Sequence, residues 1–376
     1  MAKNAKILAQ EMILPAGINI NGREAWDICV HKEETFDRVF AQGSLGLGEA
    51  YMDGWWDCKR LDEFFYRVIC HKLDKKFNFK WPLILQIITS FVLNQQAGKK
   101  AFEIGKKHYD IGNDLFQLML GKTMAYSCGY WSSPIKPAKN LNEAQEAKFE
   151  LICKKLGLKK GMEVLDIGCG WGTFMKYASK RYGVKSVGIT VSKEQTELAK
   201  KLCKGLPVEI KLQDYRKTHR QFDRIVSIGM IEHVGSKNYK NYMRTVDNCL
   251  KDDGLFLLHT IGSDETTTVT DPWVAKYIFP NSHLPSIKQI GEAAEKIFVM
   301  EDWQNLGADY DKTLMAWHKN FKRNWPKLEK KYGRKFFRMW EYYLLSCAGM
   351  FRARGAQLWQ IVFSKKGVPG GWKPVR

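Results

Sequence analysis

Residues 164–172 read VLDIGCGWG. Val164, Leu165 and Ile167 make a short apolar run of the kind buried on both faces of a parallel sheet, with Asp166 set inside it. Gly168, Gly170 and Gly172 follow at every second position, and TFMKYASKR then continues in a helical pattern. Strand, glycine turn and helix in that order open an α/β sheet whose ligands gather at the carboxyl ends of its strands. The spacing is GxGxG, which differs from the GxGxxG turn of dinucleotide sites.

Working outward, the alternation continues. Strands are expected at 163–167, 185–189, 208–211, 222–228 and 254–259, with helices at 173–181, 193–203 and 239–250. Two closing strands, 297–303 and 357–363, flank a helical region at 310–351. The pattern predicts a doubly wound, Rossmann-like α/β sheet with helices on both faces. Upstream, residues 6–95 are aromatic-rich and irregular, and read as a small mixed domain whose helical half starts near Leu61. A polar stretch at 95–100 is the expected boundary, dividing the chain into 1–95 and 96–376.

At 376 residues the chain can bury a substantial core without metals or disulfides. Its nine cysteines are scattered, with no CxxC pair and no zinc spacing, so reduced thiols and a cytoplasmic setting are expected and no metal site is. The N-terminus lacks the apolar core of a signal peptide. The most apolar run, residues 81–93 (WPLILQIITSFVL), is too short to span a bilayer, which takes roughly 20 residues. Lysines on both sides would suit an amphipathic helix at a membrane surface, but a core helix or a subunit contact is the plainer reading. Sixty Lys and Arg against forty Asp and Glu give a net charge of +20. That favours an anionic partner, nucleic acid or phospholipid, without choosing between them.

The turn suits S-adenosylmethionine, a nucleoside ligand with no pyrophosphate. Glycines let the backbone approach its amino-acid and ribose parts, while carboxylates and hydroxyls engage its ammonium and ribose hydroxyls. Asp166 within the first strand and Asp214 after the third, in LQDYR, support this reading. The second strand ends GITVSKEQ, with Thr190 where an acidic ribose partner is common. Ser192, Glu194 and Gln195 are the available replacements, and the sequence does not choose among them. A class I S-adenosylmethionine-dependent methyltransferase sheet is therefore expected.

Seven further stretches follow in order: HYDIGNDLFQLMLG (108–121), MAYSCGYW (124–131), GMIEHVG (229–235), HTIG (259–262), DPWVAKYIFPNSHLPS (271–286), GADYDKTLMAW (307–317) and CAGMFRARGAQLWQIVFSK (347–365). Together they closely resemble the cyclopropane-fatty-acyl-phospholipid synthases, relatives of the mycolic acid cyclopropane synthases. The resemblance runs from about Gly105 to the C-terminus. The N-terminal segment is similar in length and character to that of the bacterial phospholipid-acting members, whereas the mycolic acid enzymes resemble the catalytic part alone. The stretch 132–140 (SSPIKPAKN) looks longer than the family's usual turn and lies outside the matched motifs.

The resemblance implies transfer of a methyl group from S-adenosylmethionine to a cis double bond of an acyl chain, then loss of a proton from that methyl to close a three-membered ring. It implies a cofactor lining of Tyr126, Ser127, Asp166, Gly168, Cys169, Gly170, Trp171, Gly172, Thr190, Ser192, Gln195, Asp214 and Tyr215. It also implies bicarbonate as the base, held by Cys128, Glu232, His259 and Tyr310. Glu232 and His259 fall after the fourth and at the end of the fifth expected strand, the edge where ligands lie. Read singly, each residue has a plainer role: a core histidine, a helix-capping glutamate, a small buried cysteine, a helix aromatic. The ordered match of all four favours the site, and His233 is read as structural.

A carbocation formed on the alkene needs the faces of aromatic rings, and Tyr130, Trp131, Trp273, Tyr310 and Trp317 are candidates, though most aromatics only pack. His108, Tyr109 and Phe116 are expected beside the lipid. Cys347 matches a position regarded as an active-site candidate in the family, yet a thiolate has no evident task in alkene methylation, and packing is the preferred reading. The expected partners are a phospholipid bilayer with unsaturated acyl chains and a second copy of the chain joined through the N-terminal domain, at the inner face of the membrane. A nucleic-acid methyltransferase is the rival enzyme, but no module for splaying out and reading a base is found. Two other readings are a lipid enzyme that retains the methyl or hydroxylates the cation, and a lipid-binding protein without catalysis.

Overall fold

The computed structural model describes residues 2–73, 112–267 and 269–376. The expected boundary at 95–100 and the apolar run 81–93 lie outside the described residues. The chain divides into two compact units. One comprises Met1–Leu93, Val269–Pro280 and Tyr310–Ala356, and the other Asn94–Thr268, Asn281–Asp309 and Gln357–Arg376. No helix among the described residues is long and apolar enough to cross a membrane.

In the first unit a two-residue ribbon, β1 (Cys29–Val30) against β2 (Trp56–Asp57), accompanies the helices Ala2–Ile13, Glu34–Met52 and Leu61–Cys70. Helical structure thus begins well before Leu61, against expectation. The glycines of GSLGLGEA hide the helix Glu34–Met52 from a propensity reading, because each serves a local purpose. Gly43 adopts a positive φ of 57° at a kink, and a Cβ on Gly48 would come within 2.4 Å of the Trp273 indole. Arg352 joins the later helices to the N-terminal segment, donating to both carboxylate oxygens of Asp311 at 3.0 Å and pairing with the buried Asp62 at 2.9 Å.

The second unit is built on a seven-stranded sheet. Its strands are β3 (Glu163–Ile167), β4 (Lys185–Thr190), β5 (Val208–Leu212), β6 (Phe222–Ile228), β7 (Leu250–Gly262), β8 (Val299–Asn305) and β9 (Gln357–Ser364). Their order across the sheet is β5-β4-β3-β6-β7-β9-β8. The first five run parallel, while β9 is antiparallel to both β7 and β8. From β3 the chain first winds outward through β4 and β5, then returns to β6 on the other side of β3. This reversal is the switch point at which ligands bind in open α/β sheets.

Two buried apolar clusters cover the sheet. Leu165, Ile167 and Phe256 face one cluster, with Tyr242 and Met243 of the helix Tyr239–Cys249. Val164, Val226, Leu255 and Leu257 face the other, beneath Phe149 and Ile152 of the helix Leu141–Lys155 and Phe174 of Thr173–Tyr182. Side chains alternate along a strand, so Asp166 shares the face of Val164, and His259 that of Leu255 and Leu257. Both polar residues therefore lie under the helix Leu141–Lys155.

Candidate active site

A cavity opens at the carboxyl ends of β3, β4, β5 and β6, and most of the expected cofactor residues line it: Tyr126, Ser127, Asp166, Gly168, Cys169, Gly170, Trp171, Thr190, Gln195, Asp214 and Tyr215. Gly168 and Gly172 have φ of 83° and 75°, and a Cβ on Gly168 would meet Met230 at 2.8 Å. Gly172 is not part of the lining; it N-caps the helix Thr173–Tyr182 with its would-be Cβ directed at Cys203. Ser192 likewise stands back, its hydroxyl accepting from the Gln195 amide to cap Lys193–Leu202. Of the three replacements for an acidic ribose partner, Gln195 is the one that reaches the cavity. Thr190 donates to its Oε1 at 2.8 Å and fixes that side chain.

The lip after β5 is also braced. Arg216 donates through Nε to Asp214 Oδ1 at 2.9 Å and through Nη2 to Oδ2. Burial works against the Asp214 charge, yet the hydrogen bonds from Arg216 hold its carboxyl below the ordinary range. Tyr215 packs edge-on against Tyr242. On the other side, Trp171 Nε1 donates to Asn113 Oδ1 at 3.0 Å. Phe116, expected beside lipid, is fully buried with its ring about equally close to Tyr126 and Trp171, 5.1 Å from each. His108 and Tyr109 lie outside the described residues.

Sequence reasoning missed Lys148. It lines the cavity from the helix Leu141–Lys155 and donates to Ser127 Oγ at 2.7 Å, while Gln145 donates to Ser127 O at 2.8 Å. A signal was present: Ala144, Lys148, Leu151 and Lys155 recur at helical spacing, placing two lysines on the apolar face of that helix. Burial brings the Lys148 ammonium down to about 7 and the Asp166 carboxyl up to about 7, each opposed by the charge of the other. His233, read as structural, also lines the cavity; burial lowers its imidazole to about 4, so it is neutral.

Beside the cavity, Glu232 lies in a short turn after β6 whose neighbours Met230 and His233 belong to the lining. Its Oε1 accepts from the Ile261 amide of β7 at 2.7 Å, and its Oε2 has no hydrogen-bond partner among the described residues. Burial raises its carboxyl to about 7. His259 pairs in register with Ile228 across β6 and β7 and with Gln360 on β9. Its Nδ1 meets Gln360 Nε2 at 3.3 Å, while Nε2 has no partner among the described residues. Burial, reinforced by the charges of Lys148 and Lys155, keeps the ring neutral.

Cys128 is buried in the same unit, its thiol donating to Gly129 O. The following residues are anchored by Asp309, which the sequence reading also missed: its Oδ2 accepts from Trp131 N, Ser132 N and Ser132 Oγ at 2.9, 3.1 and 2.9 Å. Cys128, Glu232 and His259 thus belong to the second unit, whereas Tyr310 belongs to the first, where its ring lies 4.5 Å from Phe351. Trp273 and Trp317 are buried in that first unit too. So is the half-buried Cys347, whose thiol burial pushes up to about 12, far from a thiolate at neutral pH.

The family model for mycolic acid cyclopropane synthetase matches residues 96–361. The chain belongs to the mycolic acid cyclopropane synthetase family. It is 53% identical over 369 residues, 98% of its length and 95% of the relative's, to the cyclopropane-fatty-acyl-phospholipid synthase of Escherichia coli K12. Among solved structures, the cyclopropane synthase MmaA2 from Mycobacterium tuberculosis superposes with a TM-score of 0.66 at 31% identity, covering 70% of this chain and 98% of that one. The mycolic acid cyclopropane synthase CmaA1, solved with S-adenosylhomocysteine and CTAB, gives 0.65 at 33% identity with the same coverage. The expected methyltransferase fold is borne out, and the family is one of S-adenosylmethionine-dependent enzymes.

Proposed function

We propose that the chain transfers a methylene unit, derived from the methyl of S-adenosylmethionine, onto the cis double bond of unsaturated acyl chains in membrane phospholipids. The products are a cyclopropane fatty acyl phospholipid, S-adenosylhomocysteine and a proton. One observation carries this reading: a methyltransferase cavity adjoins a buried carboxylate and a buried imidazole, Glu232 Oε2 and His259 Nε2, neither of which has a hydrogen-bond partner among the described residues. Ring closure requires a proton to leave a carbon, which calls for a base held at the reacting centre. The near-full-length identity to the E. coli synthase supports a phospholipid substrate.

Bicarbonate fits this cluster. Glu232 Oε2 is a free acceptor and a neutral His259 supplies a donor or an acceptor at Nε2, the two kinds of contact a bicarbonate hydroxyl and its oxygens require. When bound, bicarbonate would supply the base for the leaving proton. Glu232 and His259 would hold it, with Cys128 of the same unit. His259 would then pass the proton outward, a task for which a neutral ring is the ready state. Burial of the cluster excludes the water that would otherwise capture a carbocation.

The net charge of +20 supports docking on anionic lipid at the inner face of the membrane, with the N-terminal unit as the docking and dimer-forming part. Binding to anionic vesicles should weaken with salt; equal binding to neutral vesicles at high salt would contradict docking by charge. The reaction is tested by incubating the protein with methyl-labelled S-adenosylmethionine and vesicles of cis-unsaturated phospholipid. Lipid that gains one CH2, loses its olefin and shows cyclopropane protons is the expected result. Absence of labelled lipid from a protein that binds S-adenosylhomocysteine would overturn the proposal.

A further inference from the structure

The positive charge of the chain is concentrated rather than spread. Between residues 312 and 340 there are ten Lys and Arg and one acidic residue, Glu329. This stretch forms a helical hairpin of the first unit: the end of the helix Gly307–Asn324, the turn Trp325–Lys327 and the start of the helix Glu329–Arg352. Lys319, Lys322 and Arg323 stand at i, i+3 and i+4, on one side of the first helix. Lys327, Lys330 and Arg334 carry the charge through the turn and past the kink at Gly333. All six are exposed, and none forms an ion pair among the described residues. Their neighbours Lys335 and Arg338, by contrast, are taken up by Asp53 and Asp57. Folding does not account for the six. Lys322 and Arg323 complement the dipole at the end of their helix, but Lys330 lies in the first turn of the next, where the dipole opposes a cation. Like charges crowded on one hairpin also repel one another. Charge that is exposed, unpaired and unfavourable to the fold points to a polyanionic partner.

We propose that the hairpin 319–334 is the face by which the protein docks on a bilayer containing anionic phospholipid, its cations lying among the headgroup phosphates. This face rests on the membrane-docking reading above and gives it a place in the chain. Beneath the cations the hairpin is stiff. The ring of Trp325 lies 5.4 Å from Phe321 and 5.0 Å from Phe337, and those two stack at 5.3 Å. A flat anionic surface would therefore meet a preformed basic one and order little on contact. Nucleic acid is the other polyanion to consider. A single strand is gripped by bases stacking on open aromatic rings, whereas Phe321, Trp325 and Phe337 are packed against one another. Trp325 and Tyr332, half-buried beside the cations, are of the residue types that settle at headgroup level.

The test is co-sedimentation of the full chain with phosphatidylcholine vesicles, with and without phosphatidylglycerol. The triple variant Lys322→Gln, Lys327→Gln, Lys330→Gln should bind the anionic vesicles about a hundredfold more weakly than wild type, at about fivefold per cation. A control removes the same charge from exposed lysines of the second unit, Lys200→Gln, Lys201→Gln, Lys204→Gln, and should change binding no more than about threefold. If the hairpin triple variant fails to fold, Lys327→Gln alone replaces it and should weaken binding about fivefold. Unchanged binding by the folded hairpin variant, or an equal loss in the control, would overturn the assignment to this face. Loss of RNA retention with vesicle binding intact would overturn it in favour of nucleic acid. A wild-type protein with no preference for anionic vesicles would overturn the docking reading itself, and the assignment with it.

Discussion

The ends of β4 and β5 and the ends of β6 and β7 share one edge of the sheet but are finished differently. After β4 and β5 the polar side chains satisfy one another: Thr190 holds Gln195, and Arg216 holds Asp214. Such a surface is set before a ligand arrives, loses little entropy on binding, and favours recognition. After β6 and β7, Glu232 and His259 are buried with atoms that have no hydrogen-bond partner among the described residues, and with displaced protonation equilibria. That arrangement costs stability in the folded protein and favours proton transfer. On the proposed function, binding and reactivity divide along one sheet edge, and the division can be probed from either side.

The largest effect is expected from Glu232→Gln. It keeps shape and the Ile261 hydrogen bond's acceptor but removes the carboxylate, and turnover should fall about a thousandfold while affinity for S-adenosylhomocysteine changes less than about twofold. A parallel loss of binding would erase the distinction between the two ends. The same substitution has a pH signature. The Glu232 carboxyl, ordinarily near 4.5, is raised to about 7, so between these values the folded protein binds more protons than the unfolded chain. Stability from this group therefore falls as pH rises through that window. Glu232→Gln should gain on the wild type between pH 5 and pH 8, by at most roughly 3 kcal/mol for a shift of that size, as read by denaturant unfolding. A constant difference across that range would show the carboxyl is not perturbed.

A smaller effect is expected at the binding end. Thr190→Ala releases Gln195 and should weaken S-adenosylhomocysteine about two- to fivefold, the value of one neutral hydrogen bond, with kcat nearly unchanged. Smallest of all is Cys347→Ser. The thiol is pushed up to about 12 and sits on a helix of the first unit, so most turnover should remain. Near-total loss in a folded, cofactor-binding variant would require a role for Cys347 that packing does not provide.

Much of this was legible in the sequence because its signals are local. The strands β3 to β6 announce themselves as short apolar runs, and the alternating glycines specify a turn that only positive φ can make. The positions of Glu232 after β6 and His259 on β7 follow from the motifs GMIEHVG and HTIG beside the expected strands. Lys148 was not marked in this way, because a lysine within AQEAKFELICKK looks like a solvated helix residue until the apolar face is traced. Asp309 escaped for another reason: its partners Trp131 and Ser132 lie far away in sequence, and tertiary hydrogen bonds leave no local periodicity. The helix Glu34–Met52 was obscured by glycines that exist for packing and for a kink. The association of residues 310–356 with the N-terminal segment likewise depends on side chains such as Arg352 meeting distant carboxylates.

On the proposed function a proton leaves the transferred carbon. This step is tested most directly with S-adenosylmethionine bearing a trideuterated methyl group, cis-unsaturated phospholipid vesicles, and a count of the deuterium in the modified acyl chain. Ring closure predicts two deuterium atoms, both on the new methylene carbon. Three retained deuterium atoms would mean that the methyl stays intact and that no ring is closed.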